Sequence, residues 1–222
     1  MKKSVLISLS AIIILAAVAA YGWFVWLPRE ITKERITKKA NPPVLFGKND
    51  YQIVQKNGET FIQIKKAGLR AKVPTGWHVE IKGDEVSKEY WVNLLSPDAE
   101  MFDVLTKGCG ISIMAGENEE GVEEVEKEMT FIRNKINPEE KNNNSINKKY
   151  EFELISINNR EGIKWLSQER PNFGQAAGIN FIIDKKNNKL INISTVFPPG
   201  FKEKCTPIWD DFIKNINISK IN

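Results

Sequence analysis

Apolar and polar positions divide the chain into three stretches of different rhythm. Residues 5–27, VLISLSAIIILAAVAAYGWFVWL, run for 23 positions without a charge. Residues 28–50 mix charges of both signs with the consecutive prolines Pro42 and Pro43 and with Gly47, Asn49 and Asp50, a composition that favours extended chain and turns. From residue 51 onward short alternating runs set in. YQIVQKNGETFIQIKK holds two of them joined at Asn57 and Gly58, which predicts a hairpin. LRAKV, WHVEI, YWVNLL, CGISIM, YEFELISI, IKWLSQE, NFIID and LINISTVF predict further strands.

Two segments change to a helical period. Val122, Val125, Met129, Ile132 and Ile136 recur three or four residues apart, with acids in the first turn and Arg133 and Lys135 in the last, so one face packs and the other is solvated. Phe201, Cys205, Ile208, Phe212 and Ile216 form a similar stripe, which predicts a terminal helix. Pro207 either opens that helix behind Thr206 as cap, or lies early enough in it to cost one hydrogen bond. Residues 137–149, NPEEKNNNSINKK, have little to bury and predict a surface loop.

The uncharged stretch is long enough for a bilayer. At about 1.5 Å per residue its helix reaches roughly 35 Å, against a hydrocarbon core of about 30 Å. Tyr21, Trp23 and Trp26 stand at its C-terminal end as membrane-interface anchors, and Pro28 follows as a stop. A cleaved signal peptide is the alternative, because Lys2 and Lys3 precede the run and AVAA lies within it, but YGWFVWL continues the apolar run past that point. The reading is a short tail at 1–4, a transmembrane signal-anchor helix at 5–27, a linker at 28–50 and one domain at 51–222. The protein is thus expected in the cell membrane as a single-pass protein, its C-terminal domain extracytoplasmic. A cytoplasm-facing adaptor is the inverted alternative, favoured by raw counting of Arg29, Lys33, Arg35, Lys38 and Lys39 beyond the helix.

Charge changes the picture only at the N-terminus. The formal charge of the 222-residue chain is +4, but residues 1–40 hold seven Lys or Arg against two acids, and the rest balances to −1. A nearly neutral domain without a basic stripe argues against nucleic acid as a partner. No Gly-rich phosphate loop, HExxH, nucleophile elbow or CxxC occurs, so no cofactor or metal is expected. Cys109 and Cys205 are a disulfide candidate that would close a long loop, with two buried free thiols as the alternative. The enzyme alternative is a thiol or metal-dependent hydrolase with Cys109, in KGCGIS, as nucleophile and His78 as base. His78 is the one histidine of the chain, so neither a zinc site nor a Ser/His/Asp arrangement can draw on a second.

The stretch LRAKVPTGWHVE carries a fold corner: Pro74 ends a strand, Gly76 permits a turn, and Trp77 returns a large apolar surface to the sheet. Together with the SPD turn at Ser96 to Asp98, the hairpin turn from Asn159 to Gly162 and the closing helix from Phe201 to Phe212, Val73, Pro74, Gly76 and Trp77 stand in an order that resembles the PsbP-like family, first described in a photosystem II extrinsic subunit. The resemblance covers roughly residues 68–217. It implies an α+β fold, an α/β/α sandwich with a central antiparallel sheet, and a binding role without chemistry, with another envelope protein as the expected partner. The extra N-terminal hairpin and the Asn-rich loop depart from the family.

Overall fold

The computed structural model describes residues 43–84, 89–101, 104–134 and 150–219. They form β1 (Val44–Leu45), β2 (Tyr51–Lys56), β3 (Glu59–Ile64), β4 (Leu69–Lys72), β5 (His78–Asp84), β6 (Glu89–Leu95), β7 (Glu100–Met101), β8 (Leu105–Lys107) and β9 (Gly110–Glu117). Helix α1 (Glu119–Arg133) follows, then β10 (Tyr150–Ile157), β11 (Arg160–Ser167), β12 (Gln175–Asp184), β13 (Lys189–Phe197), helix α2 (Lys202–Lys214) and β14 (Ile216–Ile218).

Eight strands build one antiparallel sheet in the order β10-β11-β12-β13-β9-β6-β5, with β1 added beside the C-terminal end of β9. Alternation along these strands sorts their side chains onto two faces. Val92, Leu94, Ile111, Ile113, Ile179, Phe181, Ile191 and Ile193 fill the inner face and are buried. A second sheet, β14-β4-β3-β2, lies over that face with Ile62, Ile64, Leu69, Ala71, Ile216 and Ile218 in the same core. Helix α2 completes the layer through Cys205, Trp209, Phe212 and Ile213. Tyr51 of β2 pins the two sheets: its hydroxyl donates to the Tyr90 carbonyl at 2.8 Å and accepts from the Ala115 N–H at 3.2 Å.

Helix α1 lies on the outer face. Val125 and Met129 pack on Ile163, with Phe152, Leu154, Ile182 and Leu190 around them. Asn118 caps the helix, its side chain accepting from the Gly121 N–H at 2.8 Å, and Asn134 ends it before Ile136, which lies outside the described residues. The Asn-rich stretch 137–149 lies outside them too.

The expected α/β/α sandwich is corrected by this arrangement. Among the described residues there are two α-helices, one per face, and the inner face is closed mainly by a second sheet. The reason is the pairing of β14 with β4, Ile216 against Ala71 and Ile218 against Leu69, which places strand where a helical layer would stand. Ile216 accordingly leaves the helical stripe for a strand. The fold is mostly antiparallel β. The chain enters it at Val44, which pairs with Glu117 inside the span read as linker.

The membrane expectation is also corrected. No helix among the described residues is long and apolar enough to cross a membrane. The longest, α1, has 15 residues and six acids, whereas a span needs about 20 predominantly apolar residues. The transmembrane, signal-anchor, single-pass and cell-membrane reading, in either orientation, has no support in this structure. Residues 5–27, with Tyr21, Trp23 and Trp26, lie outside the described residues.

Candidate functional site

Sheet register gathers most of the residues singled out by sequence at one end of the large sheet. His78 faces Leu95, Leu95 faces Gly110, Gly110 faces Val196, and Phe197 faces Gln175. At the corner the Trp77 N–H donates to the Pro74 carbonyl at 3.1 Å, Gly76 has φ +77°, and Trp77 lies half-buried against the core. His78 begins β5 and is exposed. Cys109 and Cys205 are bridged, with 5.5 Å between their Cα atoms. The Cys109 sulfur is therefore bonded to another sulfur and cannot serve as a nucleophile in this state, which removes the attacking atom of the hydrolase alternative.

The SPD turn braces that bridge. Ser96 Oγ accepts from the Cys109 N–H at 2.9 Å and donates to Asp98 Oδ1 at 2.8 Å, and Lys204 of α2 reaches Asp98 Oδ2 at 2.5 Å. The Lys204 ammonium, and after it the Ser96 hydroxyl, hold the Asp98 carboxyl below its usual range. Gly108 is needed beside the bridge, because its φ is +76° and a Cβ there would come 2.7 Å from the Ala99 Cα. These features tie a strand entry to a helix. They do not converge on a point where a substrate would sit.

Among the described residues a more apolar cavity lies elsewhere, on the outer face beside α1. It has a volume of about 680 Å³, in the range of small-molecule sites, roughly 300–1,000 Å³. Its elements follow from strand alternation. Tyr150, Phe152 and Leu154 share the outer face of β10, and in β11 Trp165 stands opposite Phe152 and Ile163 opposite Leu154. Tyr150 and Trp165 meet edge to face, ring centroids 5.8 Å apart at 88°.

Trp165 lies over the sheet because its partner on β12 is Gly178. A Cβ at that position would come within 2.3 Å of the indole ring. Asn180 and Asn192 face each other across β12 and β13 in the floor, and Asn192 Nδ2 donates to Asn180 Oδ1 at 2.6 Å. Met114, Ile163, Leu190 and Val125 supply apolar surface, Leu45 of β1 closes one side, and Glu89, Glu124 and Glu128 line the opening.

Sequence reading placed these residues in strands and a helix without joining them into a site. The available signal was polar Asn180 and Asn192 inside otherwise apolar strands, together with the aromatic alternation of Tyr150 and Phe152. Among the described residues, no three His, Cys, Asp or Glu side chains are grouped to hold a metal ion.

No protein-family model and no curated protein matches the chain. Among solved structures it is similar to a crystal structure from Bacteroides thetaiotaomicron VPI-5482, with 15% identity, a TM-score of 0.36, and coverage of 69% of this chain and 46% of that one. The chain thus spans less than half of that protein. It is also similar to the solution structure of cyanobacterial PsbP from Synechocystis sp. PCC 6803, with 11% identity, a TM-score of 0.37, and coverage of 78% of this chain and 95% of that one. The second bears the family name that the turn motifs resemble; at these values neither likeness speaks to ligand or activity.

Proposed function

We propose that residues 43–219 form a non-catalytic binding domain of PsbP-like kind whose site is the cleft between α1 and the outer face of the large sheet. One observation carries the reading: aromatic and aliphatic side chains stand in a half-open cavity around a paired Asn180 and Asn192, where a closed core would hold only apolar groups. Apolar walls supply affinity, and two carboxamides fix the orientation of a polar group. The bridged Cys109 and the exposed His78 offer no nucleophile and base pair beside this cleft. A ligand that binds only the folded state raises the melting temperature. The test is a thermal-shift screen of small amphipathic molecules on the wild type and on Trp165→Ala. Hits that stabilise the wild type and leave the variant unmoved support the reading; equal shifts in both sink it.

A second reading, contact with another protein, has its own observation. Phe173 is 61% exposed at the tip of a turn closed by hydrogen bonds between Arg170 and Gly174, at 2.8 Å in both directions. An aromatic ring held outward on an ordered turn is suited to anchor a partner. An envelope protein is the partner class expected under this reading. Phe173→Ser should weaken association with a cross-linked partner without lowering the melting temperature, and an unchanged cross-link would refute it.

A further inference from the structure

We propose that the outer edge of β5 pairs with the same edge of a second copy of this chain, antiparallel and centred on Ile81, so that two large sheets join into one. Among the described residues β5 ends the large sheet and is paired on one side, with β6. The hydrogen bonds fix which of its backbone groups face outward. The Ser96 N–H donates to the Cys109 carbonyl at 2.9 Å, so Ser96 points to β9. Alternation then directs Val92 and Leu94 to β9, and Trp91, Asn93 and Leu95 to β5. Their partners Lys82, Glu80 and His78 are thereby bonded to β6, and the N–H and C=O groups of Val79, Ile81 and Gly83 point out of the sheet. An edge of this kind is a template for a further strand.

Charge then selects the register. Antiparallel pairing of two such edges must set outward groups against outward groups, and the registers nearest the middle of the strand are centred on Glu80, Ile81 or Lys82. Centring on Glu80 sets Glu80 against Glu80, and centring on Lys82 sets Lys82 against Lys82. Centring on Ile81 sets Glu80 of each copy opposite Lys82 of the other, and Val79 opposite Gly83. The Glu80–Lys82 pairs then stand at positions without hydrogen bonds, where side chains approach more closely, and opposite charges there favour the pair while like charges oppose it. Glu80 and Lys82 already share one face, 3.1 Å apart within the strand, and both are partly exposed. On the other face Val79 and Ile81 pack against the core but are only half-buried, so a second Ile81 across the two-fold axis extends their cover. The opposite edge of the large sheet does not offer this. There β10 carries Glu151 and Glu153 as its charges, so antiparallel registers that bring them together set acid against acid.

The test is sedimentation equilibrium of the full-length protein, wild type and charge variants, with the melting temperature of each as the control for folding. Glu80→Lys and Lys82→Glu alone each set like charges opposite one another in both symmetry-related pairs, and each should dimerise about tenfold more weakly than the wild type. The double variant Glu80→Lys/Lys82→Glu restores opposite charges and should recover the wild-type dimer. An equimolar mixture of the two single variants should do the same, because the lysines of one then face the glutamates of the other. A wild type that stays monomeric overturns the proposal. So does self-association that the single reversals leave unchanged, or that either the double variant or the mixture fails to restore.

Discussion

The inner face of the large sheet meets a second sheet and α2 through apolar side chains, whereas its outer face, made by the intervening residues of the same strands, carries Asn180, Asn192, Trp165 and Tyr150 beneath, among the described residues, a single helix. Neighbouring residues such as Asn192 and Ile193 therefore do opposite work. On the inner face a side chain is judged by volume, because close packing leaves a vacated space partly unfilled. On the outer face, among the described residues, α1 covers only part of the sheet, and Asn180 and Asn192 are half-buried rather than buried. One face carries the main core of the domain, and the other carries the proposed binding cleft.

The largest effect that would break this contrast comes from the bridge at the inner layer. Cys109 and Cys205 close a separation of 96 residues between β9 and α2. In the chain-entropy account their joint replacement by alanine should cost about 4–5 kcal/mol. Urea unfolding checks this, and a loss below about 1 kcal/mol would move the weight of stability elsewhere.

Adjacent substitutions sharpen the contrast next. Ile193→Ala, at a fully buried position, should cost about 2–5 kcal/mol. Asn192→Ala, one residue earlier, should cost about 1 kcal/mol, the value of one ordinary hydrogen bond, while it weakens ligand binding in the cleft. Equal losses of stability would mean that the outer face is part of the core after all.

The last effect is one of pH and belongs to the pin between the sheets. Burial pushes the Tyr51 hydroxyl up to about 12 from its ordinary 10, with the nearby Asp50 adding to the rise and the Ala115 hydrogen bond opposing it. The folded pKa is raised, so this contribution is intact below pH 10 and is lost as pH climbs towards 12, where the unfolded chain ionises first. The loss should reach roughly 2–3 kcal/mol across that window. Melting temperatures between pH 9 and 12 should fall less steeply in Tyr51→Phe than in the wild type; parallel slopes would show that the hydroxyl titrates freely.

Much of the local structure was legible along the chain. The hairpin at Asn57 and Gly58 forms with both residues at positive φ. The 3-and-4 spacing of Val122, Val125 and Met129 became the buried stripe of α1, since these residues meet the sheet once per turn. Pro207 sits inside α2, where it forgoes one bond early in the helix. Ile216 shows the limit. Its spacing continued the helical stripe, but its partner, Ala71, is 145 positions away, and no periodicity near Ile216 reports a pairing of that range. The same limit hid the second sheet and with it the true cover of the inner face.

The cleft was illegible for a related reason. Each of its residues obeys the rule of its own strand, and only the order β10-β11-β12-β13 puts Trp165 opposite Gly178 and Asn180 opposite Asn192. Residue order by itself determined most of the longer strands and the bodies of the two helices, though not β1 or β14, because side-chain periodicity and turn chemistry act over a few neighbours. It also determined the near-neutral charge of the domain and that two cysteines were available to pair. Tertiary structure alone decided which strands adjoin, which face each side chain joins, and where a cavity remains, because those depend on hydrogen-bond register between segments distant in the chain.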